Sequence, residues 1–160
     1  MTAHEVARYF VSLVDDEAGD SITNLKLQKL LYYAQGVNLA LKDAVLFPDP
    51  IEAWVHGPVV PNVYHAYKQH GGERIPPEQV NLELYPPDIS ELLDEVNEVF
   101  GQFSAAKLRA MTHSEPPWKE TPAGTVISPD LMKAYFKTVV TRDDDPKAGT
   151  QQEQASSASA

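Results

Sequence analysis

Two histidines lie in the segments of the chain whose residue types could support acid–base or nucleophilic chemistry. His56 directly precedes a Gly-Pro pair, and His113 is followed by Ser114 and Glu115. An imidazole titrates near neutral pH, and serine, histidine and a carboxylate together form the nucleophilic set of many hydrolases. Such sets are recognised by geometry and not by adjacency in the sequence. We therefore favour a simpler interpretation, in which each imidazole donates to a backbone carbonyl and holds a corner of the chain.

The remaining residues with chemical potential do not form a metal or phosphate site. His4, His65 and His70 are scattered, no His-Glu-x-x-His pattern occurs, and the chain has no cysteine. Thiol catalysis, disulfides and cysteine-type zinc sites are thereby excluded. Gly71-Gly72 precedes Glu73, whose charge would repel a phosphate. The sequence therefore predicts neither a metal nor a cofactor.

The charge and hydropathy of the chain restrict the kinds of partner that it is expected to bind. Acidic residues outnumber basic ones by 23 to 13, and the net charge is -10. This balance argues against binding to a nucleic-acid backbone and favours either a basic partner protein or simple solubility. No run of 18 apolar residues is present, and the N-terminal residues lack the pattern of a signal peptide. We expect no membrane partner and a cytoplasmic location.

The apolar periodicity predicts a mainly α single domain of about six helices over residues 1–140, with a short β-hairpin as an option. Ile51–Val55 alternates apolar and polar residues, and Ala44–Phe47 is the nearest segment that could pair with it. The tail, residues 141–160, is acidic and then rich in Ala, Ser and Gln, so it is expected to be disordered. The tail is either inert or a handle for an unfoldase. The expected helices run from Thr2 to Val14, from Thr23 or Asn24, from Pro61 to Gly71, from Asp88 to Gly101, from Ser104 to Thr112 and from Ser128.

The second helix is expected to bury one face and to expose the other. Its apolar residues repeat at helical spacing and should be buried, whereas Lys26, Lys29 and Tyr33 should point outward. Gly36 inside this helix indicates either close packing against another backbone or a break. We expect Tyr32 and Trp54 to lie in the core. The buried stripe comprises Leu27, Leu30, Leu31, Ala34 and Val37.

Several segments in a fixed order resemble the Panacea-domain family, the SocA-type bacterial antitoxins, many of them once labelled phage-associated proteins. The first is Leu-Lys-Leu-Gln-Lys-Leu-Leu-Tyr-Tyr-Ala at 25–34, followed by Leu46-Phe47 and by Ile-Glu-Ala-Trp-Val-His-Gly-Pro-Val-Val-Pro-Asn-Val-Tyr at 51–64. The later ones are Leu-Arg-Ala-Met-Thr-His at 108–113 and Pro117-Trp118. Each segment alone is weak, but their order and spacing are specific. The resemblance covers nearly all of residues 1–140.

The resemblance implies a non-enzymatic antitoxin of a type II toxin–antitoxin pair that neutralises a protein toxin by direct binding. Some SocA-type members act as adaptors that deliver the toxin to the ClpXP protease, so ClpXP is a further expected partner in that case. Two alternatives remain open: a small hydrolase or transferase using His56 or His113, and a phage-derived interaction protein without a toxin. The family motif positions, expected to hold the scaffold or to contact the toxin, are Leu27, Lys29, Tyr32, Trp54, His56, Gly57, Pro58, Val59, Tyr64, Thr112, His113 and Trp118.

Overall fold

Helices dominate residues 1–140, which are the residues that the structure, a computed structural model, describes. The mainly α fold class with one small hairpin is confirmed, whereas the predicted tail, residues 141–160, lies outside the described residues. The elements are α1 (Ala3–Ser12), α2 (Asn24–Lys42), β1 (Glu52–Trp54), β2 (Gly57–Val59), α3 (Pro61–Tyr67), α4 (Pro87–Phe100), α5 (Ala105–His113), α6 (Pro116–Lys119) and α7 (Pro129–Val139), with short 3-10 turns at Asp16–Ala18, Lys68–His70 and Leu82–Leu84.

Local signals place the helix ends. At the start of α1, the Thr2 hydroxyl accepts from the Glu5 N–H at 3.1 Å, and the Glu5 carboxylate accepts from the Thr2 N–H at 2.9 Å. This reciprocal capping box satisfies two backbone donors that a helix start otherwise leaves unpaired. The segment after His113 was not among the predicted helices. It forms α6, because Pro116 and Pro117 occupy a first helical turn, where the missing N–H does no harm.

Helix α2 lies at the centre of the fold and is enclosed on all sides. It packs against α1, α4, α5, α7 and β2. Thirteen of its 19 residues are buried. A helix surrounded in this way has no solvent face, so it must bury its polar residues as well as its apolar ones.

The enclosure of α2 corrects two burial predictions. Lys29 and Tyr33 were expected to point outward, but their exposed fractions are 0% and 1%. Lys26 is half-buried and donates from Nζ to the Gly101 carbonyl at 2.6 Å. The helix also continues without a break through Gly36, where the close neighbour is the ring of Phe136 and not another backbone.

Buried amide side chains on α2 hydrogen-bond the backbone of the loops around it. Gln35 receives the Leu46 N–H at 2.7 Å and donates to the Phe47 carbonyl at 2.8 Å. Gln28 receives the Val60 N–H at 2.9 Å, and Asn38 donates to the Ala44 carbonyl at 2.8 Å. The helix therefore supplies partners that a sheet would otherwise supply.

These contacts explain why the predicted hairpin partner is wrong. The backbone groups of 44–47 are satisfied by α2 side chains, so β1 pairs instead with β2, antiparallel and with Ala53 opposite Pro58. On its other edge β1 bonds to residues 124–127, with the Ile127 N–H donating to the Ile51 carbonyl at 2.8 Å. The turn between the strands is only Val55 and His56.

We expect Gln35→Leu to lower the free energy of unfolding by about 2–4 kcal/mol, because it leaves buried backbone groups at Leu46 and Phe47 unpaired although Leu is more apolar. Gln79→Leu, which changes an exposed glutamine, serves as the matched control and should stay within about 0.5 kcal/mol of wild type. Urea unfolding of the three proteins measures the difference. Equal stability of the two variants would show that Gln35 does not hold the loop.

Candidate functional site

The family motif residues from three separate segments meet beneath the β1–β2 hairpin. Gly57 has a φ of +113°, and a Cβ built there would lie 2.6 Å from Lys29 Cε and 2.9 Å from Thr112 Oγ1. Both the backbone conformation and the close approach therefore require glycine. The hairpin rests directly on α2 and α5 at this point.

Lys29 lies beneath the hairpin with its side chain fully buried. Its ammonium donates to the Pro58 carbonyl at 3.0 Å, and among residues 1–140 it has no acidic partner. Burial, together with the smaller effect of the positive charge of Arg109, lowers the pKa of Lys29 to about 7. Near neutral pH the fold therefore holds a lysine that is only partly charged.

His113 closes the same region from α5. Its ring stacks on Trp118 with centroids 4.0 Å apart, and the Trp118 indole N–H donates to the Trp54 carbonyl at 2.7 Å. Burial lowers the pKa of His113, Arg109 lowers it further, and a hydrogen bond with the Val55 backbone acts in the opposite direction. These contacts agree with the expected role of His113 in holding a corner of the chain.

The other histidine and the tryptophan of the hairpin differ from expectation. His56 is exposed at the turn, so it does not hold a buried corner. Trp54 was predicted to be in the core, but it is half-buried, because β1 alternates and its central residue Ala53 takes the inward position. The Trp54 indole instead donates to Glu52 at 2.9 Å and meets the Tyr64 ring edge-on at 5.0 Å.

The turn and its aromatic neighbours form one exposed patch, which we call the hairpin surface: Trp54, Val55, His56, Tyr64 and His65. The exposed fraction of Val55 is 73%, and His56 and His65 are also exposed. His65 lies beside Tyr64, with ring centroids 5.6 Å apart. Exposed apolar and aromatic side chains grouped in this way are typical of protein interfaces.

The sequence reasoning did not predict that a buried carboxyl would bond to α2. Glu115 is 6% exposed and accepts from the hydroxyls of Tyr32 at 2.9 Å and Tyr33 at 2.8 Å. Burial raises the pKa of Glu115 to about 7, although hydrogen bonds from Tyr33, Tyr32 and Tyr135 act in the opposite direction. The available signal was a pair of adjacent tyrosines in an otherwise apolar helix, because buried hydroxyls need acceptors.

Most of the motif positions lie in the hairpin or next to it, whereas Leu27 and Tyr32 lie in the hydrophobic core. Leu27, Lys29, Tyr32, Gly57, Pro58, Val59 and Thr112 are buried; Trp54, Tyr64, His113 and Trp118 are half-buried; His56 is exposed. Over residues 1–140, no group of three or more His, Asp or Glu side chains is arranged to hold a metal. None of the helices described is both long and apolar enough to cross a membrane.

Comparison with known proteins identifies the family of the chain. The model of the Panacea domain of SocA-like antitoxins matches residues 27–119. The chain belongs to this family. Antitoxin SocA of Caulobacter vibrioides (strain NA1000 / CB15N) is 35% identical over 127 residues, which cover 70% of this chain and 68% of that protein. No solved structure gives a significant match.

The Panacea match runs from Leu27 in α2 to the end of α6, and it contains all twelve motif positions. Helices α1 and α7 lie outside it. Nevertheless α7 packs along α2, where its Phe136 ring contacts Tyr32 at a centroid distance of 5.4 Å. In this Panacea-domain protein the enclosed helix therefore depends on a neighbour beyond the matched segment.

The stability of the Panacea core should depend on pH through Glu115, and the variant Glu115→Gln tests this dependence. Because the folded pKa of Glu115 lies above its ordinary value of 4.5, the folded protein binds the extra proton. The stability this provides is complete below about pH 4.5 and is lost as pH rises through about 7. We expect wild type to lose about 3 kcal/mol relative to Glu115→Gln over this interval.

Urea unfolding of both proteins across this pH range measures the effect, and Glu120→Gln, at an exposed carboxyl, is the control. The wild-type and Glu120→Gln curves should fall together, while Glu115→Gln stays flatter. Parallel curves for all three proteins would show that folding does not shift the pKa of Glu115.

Proposed function

We propose that the protein neutralises a protein toxin by direct, stoichiometric binding through the hairpin surface, and that both act in the cytoplasm. Family membership supports the antitoxin role. The observation that supports binding at this place is the exposed turn of Val55 and His56, set beside half-buried aromatic rings on a rigid base. In this proposal no residue is catalytic.

The position of the surface fits a binding role. The hairpin is anchored from below by Lys29, which bonds to Pro58, and from the side by Trp118, which bonds to Trp54. A pre-organised surface loses little conformational entropy when a partner binds. The buried motif residues then hold the hairpin in place, while the exposed residues of the turn contact the partner.

Val55→Asp should abolish protection against the toxin without unfolding the protein. A carboxylate in the centre of the apolar contact would be desolvated on binding, and we expect the affinity to fall by about tenfold or more. Because Val55 is 73% exposed, the free energy of unfolding should change by less than about 0.5 kcal/mol. Leu84→Asp, at a side chain that is 68% exposed on the Leu82–Leu84 turn, is the matched control.

The toxin for this test is a protein that co-purifies with the chain, stops growth when expressed alone and is tolerated when the chain is present. Growth of co-expressing cells and the affinity of the purified pair are both measured. Full protection by Val55→Asp would remove the hairpin surface from the interface. If no such toxin exists, the antitoxin proposal fails, and His56→Ala becomes the test for enzymatic chemistry.

We further propose that binding leads to delivery of the toxin to the ClpXP protease, as the family resemblance suggests. The half-life of the toxin should then shorten when the chain is present and ClpXP is intact, and it should return to its longer value without ClpX. Val55→Asp should prevent the shortening, because delivery requires binding. A half-life that is unaffected by the chain, with protection intact, would show neutralisation by binding alone.

A further inference from the structure

Three basic side chains meet beneath the hairpin, and within residues 1–140 none of them forms an ion pair. We call them the cationic cluster: Lys29, Arg109 and His113. Arg109 lowers the pKa of both other members, and Lys29 and His56 lower that of His113. The ion pairs within residues 1–140 lie elsewhere, between Lys42 and Asp88 and around Asp43. The cluster is therefore self-repelling in a chain whose net charge is -10.

The cluster also has polar atoms without partners. Arg109 Nε and His113 Nε2 are both buried, and neither has a hydrogen-bond partner among the described residues. Lys29 has three N–H donors, and the Pro58 carbonyl accepts from its ammonium. Buried polar atoms in folded proteins are nearly always paired, so atoms left without partners call for a water or a ligand.

We propose that the cationic cluster is an oxyanion site, and that its ligand is a carboxylate side chain of the bound toxin. The identity of the ligand rests on the proposed function; the existence of the site does not. Arg109 and His113 are half-buried, and His113 bonds to the Val55 backbone at the hairpin turn. Their unpaired atoms lie below the surface, so the ligand displaces a covering group to reach them, while Lys29 provides charge from below. A carboxylate there would accept from Arg109 Nε and, once the imidazole is protonated, from His113 Nε2, and it would hold the imidazole in its charged form.

The charge of the whole chain favours a carboxylate on a protein over a more highly charged phosphate. An excess of ten negative charges repels polyanions and attracts a partner that is basic overall. A single acidic side chain on such a partner could pair with the cationic cluster, and complementary charges of this kind determine the register of an interface.

Arg109→Gln separates a binding role from a structural one. If Arg109 served only to stabilise the fold, its replacement would lower the unfolding midpoint. In our proposal the change relieves repulsion on Lys29 and His113, so the midpoint should stay equal or rise while anion binding weakens by about tenfold or more. Arg74→Gln, which removes the same charge at an exposed position, is the matched control.

The first experiment uses the free protein. Acetate and inorganic phosphate are titrated at constant ionic strength, and the pKa of His113 is followed by NMR of its ring. We expect acetate to raise this pKa saturably in wild type and Arg74→Gln, and with at least about tenfold weaker affinity in Arg109→Gln. Absence of saturation, or equal responses in all three proteins, would overturn the site. Tighter binding of phosphate would overturn the carboxylate assignment.

The second experiment uses the complex with the toxin. Arg109→Gln should weaken toxin affinity by about tenfold or more, and Arg74→Gln should leave it unchanged. Loss of toxin binding with Val55→Asp but not with Arg109→Gln would overturn the ligand assignment and leave the proposed function standing. If the chain binds no toxin at all, the proposed function and the ligand assignment fail together, while the acetate titration still decides whether the site exists.

Discussion

The fold depends on the need to pair every polar group that α2 buries. The helix is enclosed by other elements, yet it carries amides, a lysine and two tyrosines as well as leucines. Each polar side chain would be costly to bury alone, so each makes at least one hydrogen bond to a surrounding loop or helix, although Asn38 Oδ1 has no partner among the described residues. Gln35 holds the 44–47 loop, Gln28 holds the end of β2, and Tyr32 with Tyr33 holds Glu115. These bonds determine where the loops lie.

The same requirement connects the interior to the proposed interface. The hairpin has only three residues in each strand, which is too few to be stable in isolation. It keeps its position because Lys29, Gly57 and Thr112 meet under it and because residues 124–127 pair with its outer edge. Changes far from the turn, within α2, can therefore alter what the turn presents to a partner. The same base would also suit different residues at the turn.

The sequence could predict the elements that local chemistry determines. Helix ends at Thr2, Asn24 and Ser104 follow from capping residues, and the fold class follows from apolar periodicity. Burial of Lys29 and Tyr33 could not be predicted, because periodicity assumes that one helix face meets water. The strand partner of β1 was missed for a related reason: a side-chain amide, not a strand, pairs with the 44–47 backbone.

The candidate site was likewise predictable only in part from the sequence. The motif order indicated which residues belong together, and Lys29, Gly57 and Thr112 do meet. Arg109 was not singled out, because its significance comes from its proximity to Lys29 and His113 and from the fact that it forms no ion pair within residues 1–140. Glu115 was weighed only as a neighbour of His113, whereas two of its hydroxyl partners, Tyr32 and Tyr33, lie more than 80 positions away along the chain.

The packing of α7 on α2 has a consequence for biosynthesis. The ring of Phe136 covers Gly36 and contacts both Tyr32 and Tyr33, so the central helix stays open until that ring arrives. During translation, α2 emerges from the ribosome roughly one hundred residues before Phe136 does, and the nascent chain has to keep its buried lysine, amides and tyrosines hydrated during that time. The polar character that makes α2 an unusual core helix also makes it soluble while it waits, which reduces the risk of aggregation before the fold closes.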